Sequence, residues 1–323
     1  MDPTWSPKVS IIIPVYNGAN YMREAIESAL AQTYQNTEVI VVNDGSLDRG
    51  ETDQIARSYG DRIIYIQKEN GGVSSALNLG IKHMTGEYFS WLSHDDVYSL
   101  DKIQHQIDIL SAVSQKKAVA LCAHCFINEN SDRLNKRPPQ RFPEGIVSWQ
   151  EALKDTFVQG TLNGCALLIP KDAFEECGLF HEGLRFSQDA LMWMKLFLNQ
   201  YALVYNDDED VFSRIHGKQL TQTGRALFQK DSLTIGQIVI PELVCISNRK
   251  ENYLYLFAQK NAKNGNRSVV KACVQAGKSN KLFGLQHTAS LQLKLLYGNI
   301  RPTLRKVYYH LFVKAKRDKG WIP

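Results

Sequence analysis

Two adjacent carboxylates, Asp95 and Asp96, follow the short apolar segment of residues 88–92. The aromatic composition of that segment predicts a buried strand, and ligands of open α/β sheets bind beyond the carboxyl ends of the strands. Carboxylate oxygens at such a place suit a divalent cation that serves an anionic substrate. A structural role fits the spacing equally well, since either acid can cap a helix that begins near Leu100. These residues alone leave both interpretations open.

The elements that must position these acids are predicted from the hydrophobic pattern. The run at 9–14 is continuously apolar, which is typical of a parallel strand buried on both faces. Apolar residues recur at helical spacing over 21–32. The alternation continues with strands at 38–43, 62–67 and 88–92 and helices at 52–59, 73–83 and 100–113. This order predicts an α/β fold with a mixed, mainly parallel sheet and helices on both faces.

Later segments are less regular. Residues 118–127 predict a strand, and the Pro-rich stretch 130–144 predicts a loop over the site. Cys122 and Cys125 have the spacing of half a zinc site, but they lie inside the apolar run without a second pair, so we expect them in the strand core. Further predicted elements are strands at 166–170, 201–206 and 211–215 and helices at 171–176 and 188–199, followed by a helical region from residue 227.

Composition places the chain among soluble globular proteins. Its 323 residues are 44% hydrophobic and 22% charged, which excludes disordered and fibrous classes. No run of about 18 apolar residues and no basic-then-apolar leader is present. Six scattered cysteines fit a reducing compartment. We therefore expect a cytoplasmic protein without a membrane-spanning helix.

The net charge of +5 conceals an asymmetry. Residues 252–323 contain 14 Lys and Arg and one acid, a net +13, whereas the remaining 24 basic and 32 acidic residues give −8. A basic tail behind an acidic body predicts an anionic partner, such as a membrane surface or a polyanionic acceptor. Solvated helix faces are the alternative interpretation, and nucleic acid is not expected.

Glycine-rich phosphate loops are missing from the sequence. No Gly-x-Gly-x-x-Gly follows the first strand, and Gly-Lys-Ser/Thr does not occur. A bound diphosphate would therefore need another source of positive charge. A cation on Asp95 meets that need, and hard oxygen ligands suit Mg²⁺ or Mn²⁺.

Five segments resemble the family 2 glycosyltransferases of the A-type fold. In chain order they are VSIIIPVYNGANYMREAIESALAQTY, VIVVNDGSLD, ENGGVSSALNLGI, GEYFSWLSHDD and GLFHEGLRFSQDALMWMKL. The resemblance spans roughly residues 8–220. It implies a single Rossmann-like catalytic domain at 1–225, which leaves a basic, mainly helical C-terminal region at 226–323. It also implies an inverting transfer of sugar from a nucleotide diphosphate donor, in cell-surface polysaccharide, lipopolysaccharide or glycan synthesis.

The resemblance also implies a donor site. Tyr16 looks like the residue that packs on the nucleotide base, and Asp44 looks like the acid that accepts a hydrogen bond from it, which fits a UDP-sugar. Leu77 departs from the family pattern because an arginine is common there. The complete set of donor-binding residues implied is Pro14, Tyr16, Asn17, Asp44, Asn70, Gly72, Asn78, His94 and Asp95.

The resemblance assigns the metal and the base as well. Asp95 matches the metal-binding acid with Asp96 as its neighbour, while Ser93 stands where the Asp-x-Asp-type motif has its first acid. His216 is expected near the metal and the diphosphate, with a core histidine as the alternative. Asp189 matches the catalytic base, although an acid in the first turn of a helix is also stabilised by the helix dipole.

Two cations and the partners complete the expectations. Arg214 and Lys218 are interpreted either as phosphate ligands or as parts of a solvated loop. The expected partners are the nucleotide sugar, a saccharide or lipid-linked acceptor, and anionic lipid at the inner membrane face. A homo-oligomer is compatible with the sequence. The alternative function is a non-catalytic module that binds a nucleotide sugar or a glycan on the same fold.

Overall fold

The structure is a computed structural model that describes residues 5–217, 225–248 and 250–308. The chain divides into two compact units, Met1–Arg225 and Ala226–Pro323. The first unit has the α/β fold, and the second is helical in its described part. The predicted fold class, with helices in the C-terminal part, is therefore confirmed.

The first half of the α/β unit follows the predicted alternation. Apolar runs form the strands because both of their faces are covered, and each of the seven residues of the first strand is buried. The elements are β1 (Val9–Val15), α1 (Met22–Leu30), β2 (Thr37–Asp44), α2 (Glu51–Arg57), β3 (Ile64–Lys68), α3 (Val73–His83) and β4 (Tyr88–Trp91).

The second half adds short and antiparallel elements. They are β5 (Val97–Tyr98), α4 (Lys102–Ser111), β6 (Ala118–Ile127), β7 (Gly145–Val147), α5 (Trp149–Val158), β8 (Leu167–Pro170), α6 (Asp172–Cys177), α7 (Gln188–Leu198) and β9 (Ala202–Arg214). Cys122 and Cys125 are buried in β6, which confirms their strand-core role. Residues 130–144 contain no helix or ladder strand, as predicted for a loop.

The nine strands of the described residues form one sheet in the order β3-β2-β1-β4-β8-β6-β9-β5, with β7 paired to β9. Strands β1, β2, β3 and β4 are mutually parallel, and β6 is parallel to β9. Because β8 is antiparallel to both β4 and β6, strands β6 and β9 run in the same direction as β4. The carboxyl ends of β1, β2, β4 and β9 therefore lie at one edge of the sheet.

One predicted pair of elements is wrong, one helix was missed, and one alternative interpretation is excluded. The two closing strands are one strand, β9, whose register with β6 shifts at Ala123 through a bulge-like irregularity. Helix α5 was not predicted, although Ser148 and Glu151 form the capping box that marks its start. Asp95 and Asp96 do not cap the helix that follows them, because α4 has Asp101 at its N-cap position.

Four helices form the described part of the C-terminal unit: α8 (Arg225–Ile246), α9 (Tyr253–Lys263), α10 (Arg267–Ser279) and α11 (Leu285–Tyr308). Across the described ranges, every helix is too short or too polar to cross a bilayer. The basic residues beyond 308 and Lys218 lie outside the described residues.

A buried lysine lies directly behind the strand that delivers the adjacent acids. Lys102, in the first turn of α4, is fully buried. Its Nζ donates to Ser90 Oγ over 2.6 Å and lies 4.2 Å from the centroid of the Tyr98 ring. Tyr98 in turn donates to the Trp91 carbonyl over 2.6 Å. Burial lowers the pKa of Lys102 to about 8, because the charged form loses its hydration.

Lys102→Met should change how stability depends on pH. Below pH 8 both the folded and unfolded states hold the proton; between about 8 and 10.5 the unfolded state alone keeps it. The wild type should thus gain unfolding free energy relative to the variant across that window, on the order of 3 kcal/mol. Urea titrations at pH 7.5 and 9.5 measure the difference, with exposed Lys82→Met as the control. A difference in unfolding free energy that is independent of pH would disprove the lowered pKa of Lys102.

Candidate active site

Asp44, the last residue of β2, organises the loop between β3 and α3. Its Oδ1 accepts hydrogen bonds from the Gly71 amide at 2.9 Å and from Lys68 Nζ at 2.8 Å. Its Oδ2 accepts one from the Gly72 amide at 2.7 Å, and Asn70 Nδ2 donates to the Asp44 carbonyl at 3.0 Å. Three of the predicted donor-site residues therefore form one hydrogen-bonded unit.

The same hydrogen-bonded unit explains why position 45 is a glycine. Gly45 has a φ of +68°, and a Cβ on it would lie 2.6 Å from the Asn70 amide nitrogen. Only glycine fits both the left-handed conformation and the close approach of the two backbones. Lys68 was not singled out from the sequence, although parallel pairing places it directly opposite Asp44 in the sheet.

The loop after β1 is tied to the loop after β2. Asn17 adopts a φ of +50°, and its Oδ1 accepts the Leu47 amide at 2.7 Å. The Asn17 amide donates to Ser46 Oγ at 2.9 Å. Pro14 is buried within β1, whereas Tyr16 is 42% exposed. The phenol ring of Tyr16 is thus available for stacking beside the turn that Asn17 fixes. Its predicted contact with the nucleotide base stays a prediction.

Asn78 has a different environment from the one expected of a ligand contact. It is buried in α3, and its Oδ1 accepts the Phe180 amide at 2.9 Å. Its Nδ2 donates to the Phe180 carbonyl and to Glu182 Oε1, both at 2.9 Å. The side chain thereby anchors the segment before α7. Leu77, where the family commonly has an arginine, is fully buried.

Arg185 is a cation near this loop that the sequence analysis missed. Its Nη1 donates to the Gly71 carbonyl at 3.1 Å, and a Cβ on Gly72 would lie 2.5 Å from the same nitrogen. The conformation of Gly72, with a φ of +88°, also disfavours a side chain. The position of Arg185 inside the GLRFSQD motif was the available signal.

The two adjacent acids have separate environments. Asp95 Oδ2 lies 3.0 Å from His216 Nε2, so the structure brings these two predicted residues together. Asp96 is 8% exposed, and its Oδ1 accepts the Arg214 amide at 2.9 Å. Burial, followed by the charge of Asp95, raises the pKa of Asp96. Asp95 therefore pairs with His216, whereas Asp96 is buried in the protein interior.

The other oxygen of Asp96 faces a thiol. Cys165 Sγ lies 3.4 Å from Asp96 Oδ2 and 3.4 Å from Ser93 Oγ. Burial and the charge of Asp96 raise the pKa of Cys165 well above its ordinary value, so the thiol is protonated and can donate.

His94 packs against Gly18, where a Cβ on the glycine would lie 2.7 Å from the Cδ2 of His94. Burial lowers the pKa of His94.

Asp189 lies in the first turn of α7, as predicted. Its Oδ1 accepts the Ala190 amide at 2.7 Å, and its Oδ2 accepts Thr161 Oγ1 at 3.4 Å. The segment that begins at Thr161 continues to Asn163, whose Nδ2 donates to Ser213 Oγ at 2.8 Å. Residues 161–165 thus connect Asp189, β9 and Asp96 through side-chain contacts.

Arg214 is neither a phosphate ligand nor part of a solvated loop, because its side chain is fully buried. Its Nε donates to the Asp95 carbonyl at 2.8 Å, and its Nη2 donates to Glu24 Oε2 at 2.9 Å. The guanidinium carbon lies 4.3 Å from the centroid of the Tyr21 ring. The Nη1 of Arg214 donates to the Asn128 carbonyl at 3.2 Å. Arg214 is a structural residue that fixes the backbone of residues 92–96 between β4 and β5, which we call the acid loop.

Residues with metal-binding chemistry occur at two places in the described ranges. Two ligands bound at about 2.1 Å and at right angles lie about 3 Å apart, which the Asp95–His216 distance fits. A second group, His105, Asp208 and Asp210, has ligand atoms within 4.8 Å of one another. Burial alone would lower the pKa of His105, but the hydrogen bond to Asp210 and the charge of that carboxylate raise the pKa overall, as expected of an ion pair.

Comparison with known proteins identifies the family. The model of glycosyl transferase family 2 matches residues 10–177. An uncharacterized glycosyltransferase of Rickettsia prowazekii is 42% identical over 314 residues, which cover 94% of this chain and 96% of that protein. Another, from Rickettsia typhi, is 45% identical over 267 residues, 81% of this chain and 82% of that protein. The chain belongs to glycosyl transferase family 2, and the resemblance is confirmed.

Solved structures share the fold. S. aureus TarS residues 1–349 in complex with UDP-GlcNAc superimposes with a TM-score of 0.70 at 18% identity, covering 93% of this chain and 92% of that one. The mannosyltransferase PcManGT from Pyrobaculum calidifontis, in complex with GDP-Man and Mn²⁺, gives 0.59 at 16% identity, with coverage of 93% and 88%. At these identities the similarity shows the fold alone.

Arg214→Met should strongly destabilise the α/β unit. The variant leaves the Asp95 and Asn128 carbonyls without the guanidinium donor and removes one of two donors from Glu24, which keeps its hydrogen bond from Ser131. A hydrogen bond that involves a charged group contributes about 1.5–3 kcal/mol, so the loss of several such bonds should cost on the order of 3 kcal/mol. Chemical denaturation measures this loss, and Arg57→Met, which breaks an exposed pair on α2, should leave stability almost unchanged. Equal effects of the two substitutions would contradict a structural role for Arg214.

Proposed function

We propose that the chain is a metal-dependent, inverting glycosyltransferase that moves a sugar from a UDP-sugar to a hydroxyl of a saccharide or lipid-linked acceptor. The pairing of Asp95 Oδ2 with His216 Nε2 at 3.0 Å carries this proposal, because a carboxylate and an imidazole can both bind a metal ion. Both residues follow strands that end at the edge of the sheet where Asp44 organises the loop between β3 and α3. The complexes of TarS with UDP-GlcNAc and of PcManGT with GDP-Man and Mn²⁺ support a nucleotide-sugar donor and a metal.

The donor nucleotide binds at the loops after β1 and β2. Tyr16 stacks on the base because its ring is exposed beside the fixed Asn17 turn. Asp44 accepts a hydrogen bond from the base, while Asn70 and Gly72 shape the pocket through their bonds to Asp44. Asn78 acts as a positioning residue, since its amide is engaged by the segment at 180–182.

Asp95 and His216 would hold an Mn²⁺ or Mg²⁺ ion, and the buried Asp96 supports the loop from behind. A cation held there would supply positive charge for the departing diphosphate. His94 shapes the site from its packed position against Gly18. Arg214 keeps the Asp95 carbonyl in place and thereby orients the acid loop.

Asp189 acts as the base of a single displacement. The acceptor oxygen attacks the anomeric carbon and transfers its proton to Asp189, while the electron pair of the sugar–phosphate bond leaves with the diphosphate. The hydrogen bonds from Ala190 and Thr161 fix the carboxylate. Its place in the first turn of α7 also favours the ionised form, which a base requires.

Asp189→Asn should lower the rate of transfer by about 10²- to 10⁴-fold, because a positioned base contributes that much. UDP release from UDP-GlcNAc with Mn²⁺ and a panel of saccharide acceptors measures the rate, and calorimetry should show donor affinity within about twofold of wild type. Asp172→Asn, an exposed acid in the first turn of α6, is the matched control. A near-normal rate in Asp189→Asn disproves the assignment of the base.

The same assay separates the enzyme from a non-catalytic binding module. If the wild type binds a nucleotide sugar tightly and releases no nucleotide with any donor of a UDP-sugar and GDP-mannose panel, the transferase proposal fails.

The metal assignment is tested in the same assay. Asp95→Asn should abolish the stimulation by Mn²⁺, because it removes the carboxylate charge of the proposed site.

We further propose that the C-terminal unit contacts anionic membrane. Helix α11 exposes Leu285, Leu293, Leu296 and Tyr297, which lie within one 120° arc of the helix if it is regular. Residues 252–323 carry a net +13. An apolar face on a strongly basic segment is the pattern of a helix that lies in the membrane interface.

The double variant Leu293→Glu and Leu296→Glu should lose binding to vesicles of phosphatidylcholine and phosphatidylglycerol, because two charges enter the apolar face. Sedimentation measures the bound fraction, which should fall with added salt in the wild type. Leu47→Glu is the control, because Leu47 of the α/β unit is even more exposed than Leu293 and Leu296. Absence of wild-type binding at low salt, or full binding by the double variant, would count against membrane contact.

A further inference from the structure

A second concave site lies beside the proposed base. An open cavity of about 300 Å³ is lined by the middle of β6, the end of α5, residues 161–163 and the Pro-rich loop 137–142. That volume is at the lower end of the range of small-molecule sites, which is about 300–1,000 Å³. The predicted loop over the site therefore covers a space that no residue of the donor site lines.

The formal charges around this cavity are already paired within the protein. Arg137 bonds both oxygens of Asp207, at 3.1 and 2.8 Å, and contacts Glu209. Arg141 bonds the Asp155 carboxylate and donates to the Thr161 carbonyl at 2.8 Å. An anionic ligand would have to displace these carboxylates, so the cavity favours a neutral ligand.

Two polar side chains in its wall keep unused hydrogen-bonding groups. His124 lies half-buried on β6, and its ring makes no hydrogen bond to the described residues. Burial, together with the charge of Arg141, lowers the pKa of His124 to about 4, so the ring is neutral and offers one donor and one acceptor. The side-chain amide of Gln159, after the last turn of α5, likewise has no partner among those residues.

Aromatic rings complete the wall. Phe142 and Tyr205 both line the cavity, with their ring centroids 6.1 Å apart in an edge-to-face arrangement. Apolar ring surface combined with a few convergent amide and imidazole groups is the composition of a site for a polar but uncharged small molecule. A saccharide matches it, since hydroxyl groups both donate and accept.

The cavity is linked to the proposed base by one residue. Thr161 lines the cavity, and its Oγ1 donates to Asp189 Oδ2 at 3.4 Å. A ligand in the cavity thus lies next to the residue that fixes the carboxylate. We propose that this cavity binds a neutral saccharide unit of the acceptor, held by His124 and Gln159, so that its reacting hydroxyl reaches Asp189. This inference rests on the proposed transferase function.

The test fills the cavity without touching the donor site. Gln159→Trp places a large ring at its mouth, and Val158→Trp places the same ring one residue earlier on α5, where the side chain is 62% exposed and lines no part of the cavity. Binding of the methyl glycosides of glucose, galactose and N-acetylglucosamine is measured by saturation-transfer NMR on the full chain, which requires no turnover. Donor hydrolysis, measured as UDP release without acceptor, is recorded for each protein.

The expected result is that at least one glycoside binds the wild type and Val158→Trp, and that Gln159→Trp weakens this binding at least tenfold while donor hydrolysis stays within twofold. His124→Leu should weaken it about fivefold or more, since it removes both hydrogen-bonding nitrogens. The proposal is overturned if no glycoside binds the wild type at millimolar concentration, or if Gln159→Trp and Val158→Trp bind equally. It is also overturned if Gln159→Trp loses donor hydrolysis in parallel.

These outcomes are separable from failure of the proposed function. A wild type that releases no nucleotide from any donor defeats the transferase proposal, while the NMR comparison still decides whether the cavity binds saccharide. Conversely, a fully active transferase whose acceptor affinity is the same in Gln159→Trp and wild type retains its function and loses this site.

Discussion

The site depends on one buried guanidinium. Arg214 ends β9, yet it bonds the carbonyl of Asp95, the loop at Asn128 and the carboxylate of Glu24 on α1. A buried charge is tolerated only when such partners surround it, so these segments must meet in one arrangement for the chain to fold. The acid loop therefore inherits its geometry from the core, and the pairing of Asp95 with His216 two residues beyond Arg214 follows from it.

Side chains also hold loops elsewhere along this edge of the sheet. Asp44 and Asn78 accept hydrogen bonds from loop amides that, among the described residues, have no partner within their own loop. Asp44 receives two amides of the β3–α3 loop, and Asn78 receives the segment that leads into α7. A polar side chain at the end of β2 and another within α3 thus fix the loops around the site. Rigid support of this kind is what a catalytic arrangement requires, because small displacements of reacting groups lower rates steeply.

Sequence reasoning predicted what local pattern determines. The strand β1 was recognisable because burial on both faces imposes a continuous apolar run, and the helix at Val73–His83 because burial of one face imposes a helical period. The capping box at Ser148 was equally local and was overlooked. Roles that depend on distant partners were not predictable: Asn78 meets Phe180 across 102 residues, and Arg214 meets Glu24 across 190. Polarity in β9 also suggested a break, whereas pairing with β6 keeps it continuous.

The hydrogen bonds of Asp44 have one further consequence. A carboxylate offers about four acceptor positions, and three are taken by Gly71, Gly72 and Lys68. One position on Oδ2 remains once these described partners are counted. In the proposed donor complex, a nucleobase N–H would occupy this position without releasing the loop, so binding would cost desolvation of the two groups but no ordering of the loop. Selectivity for that base would then come from an arrangement of the loop that exists before the ligand binds.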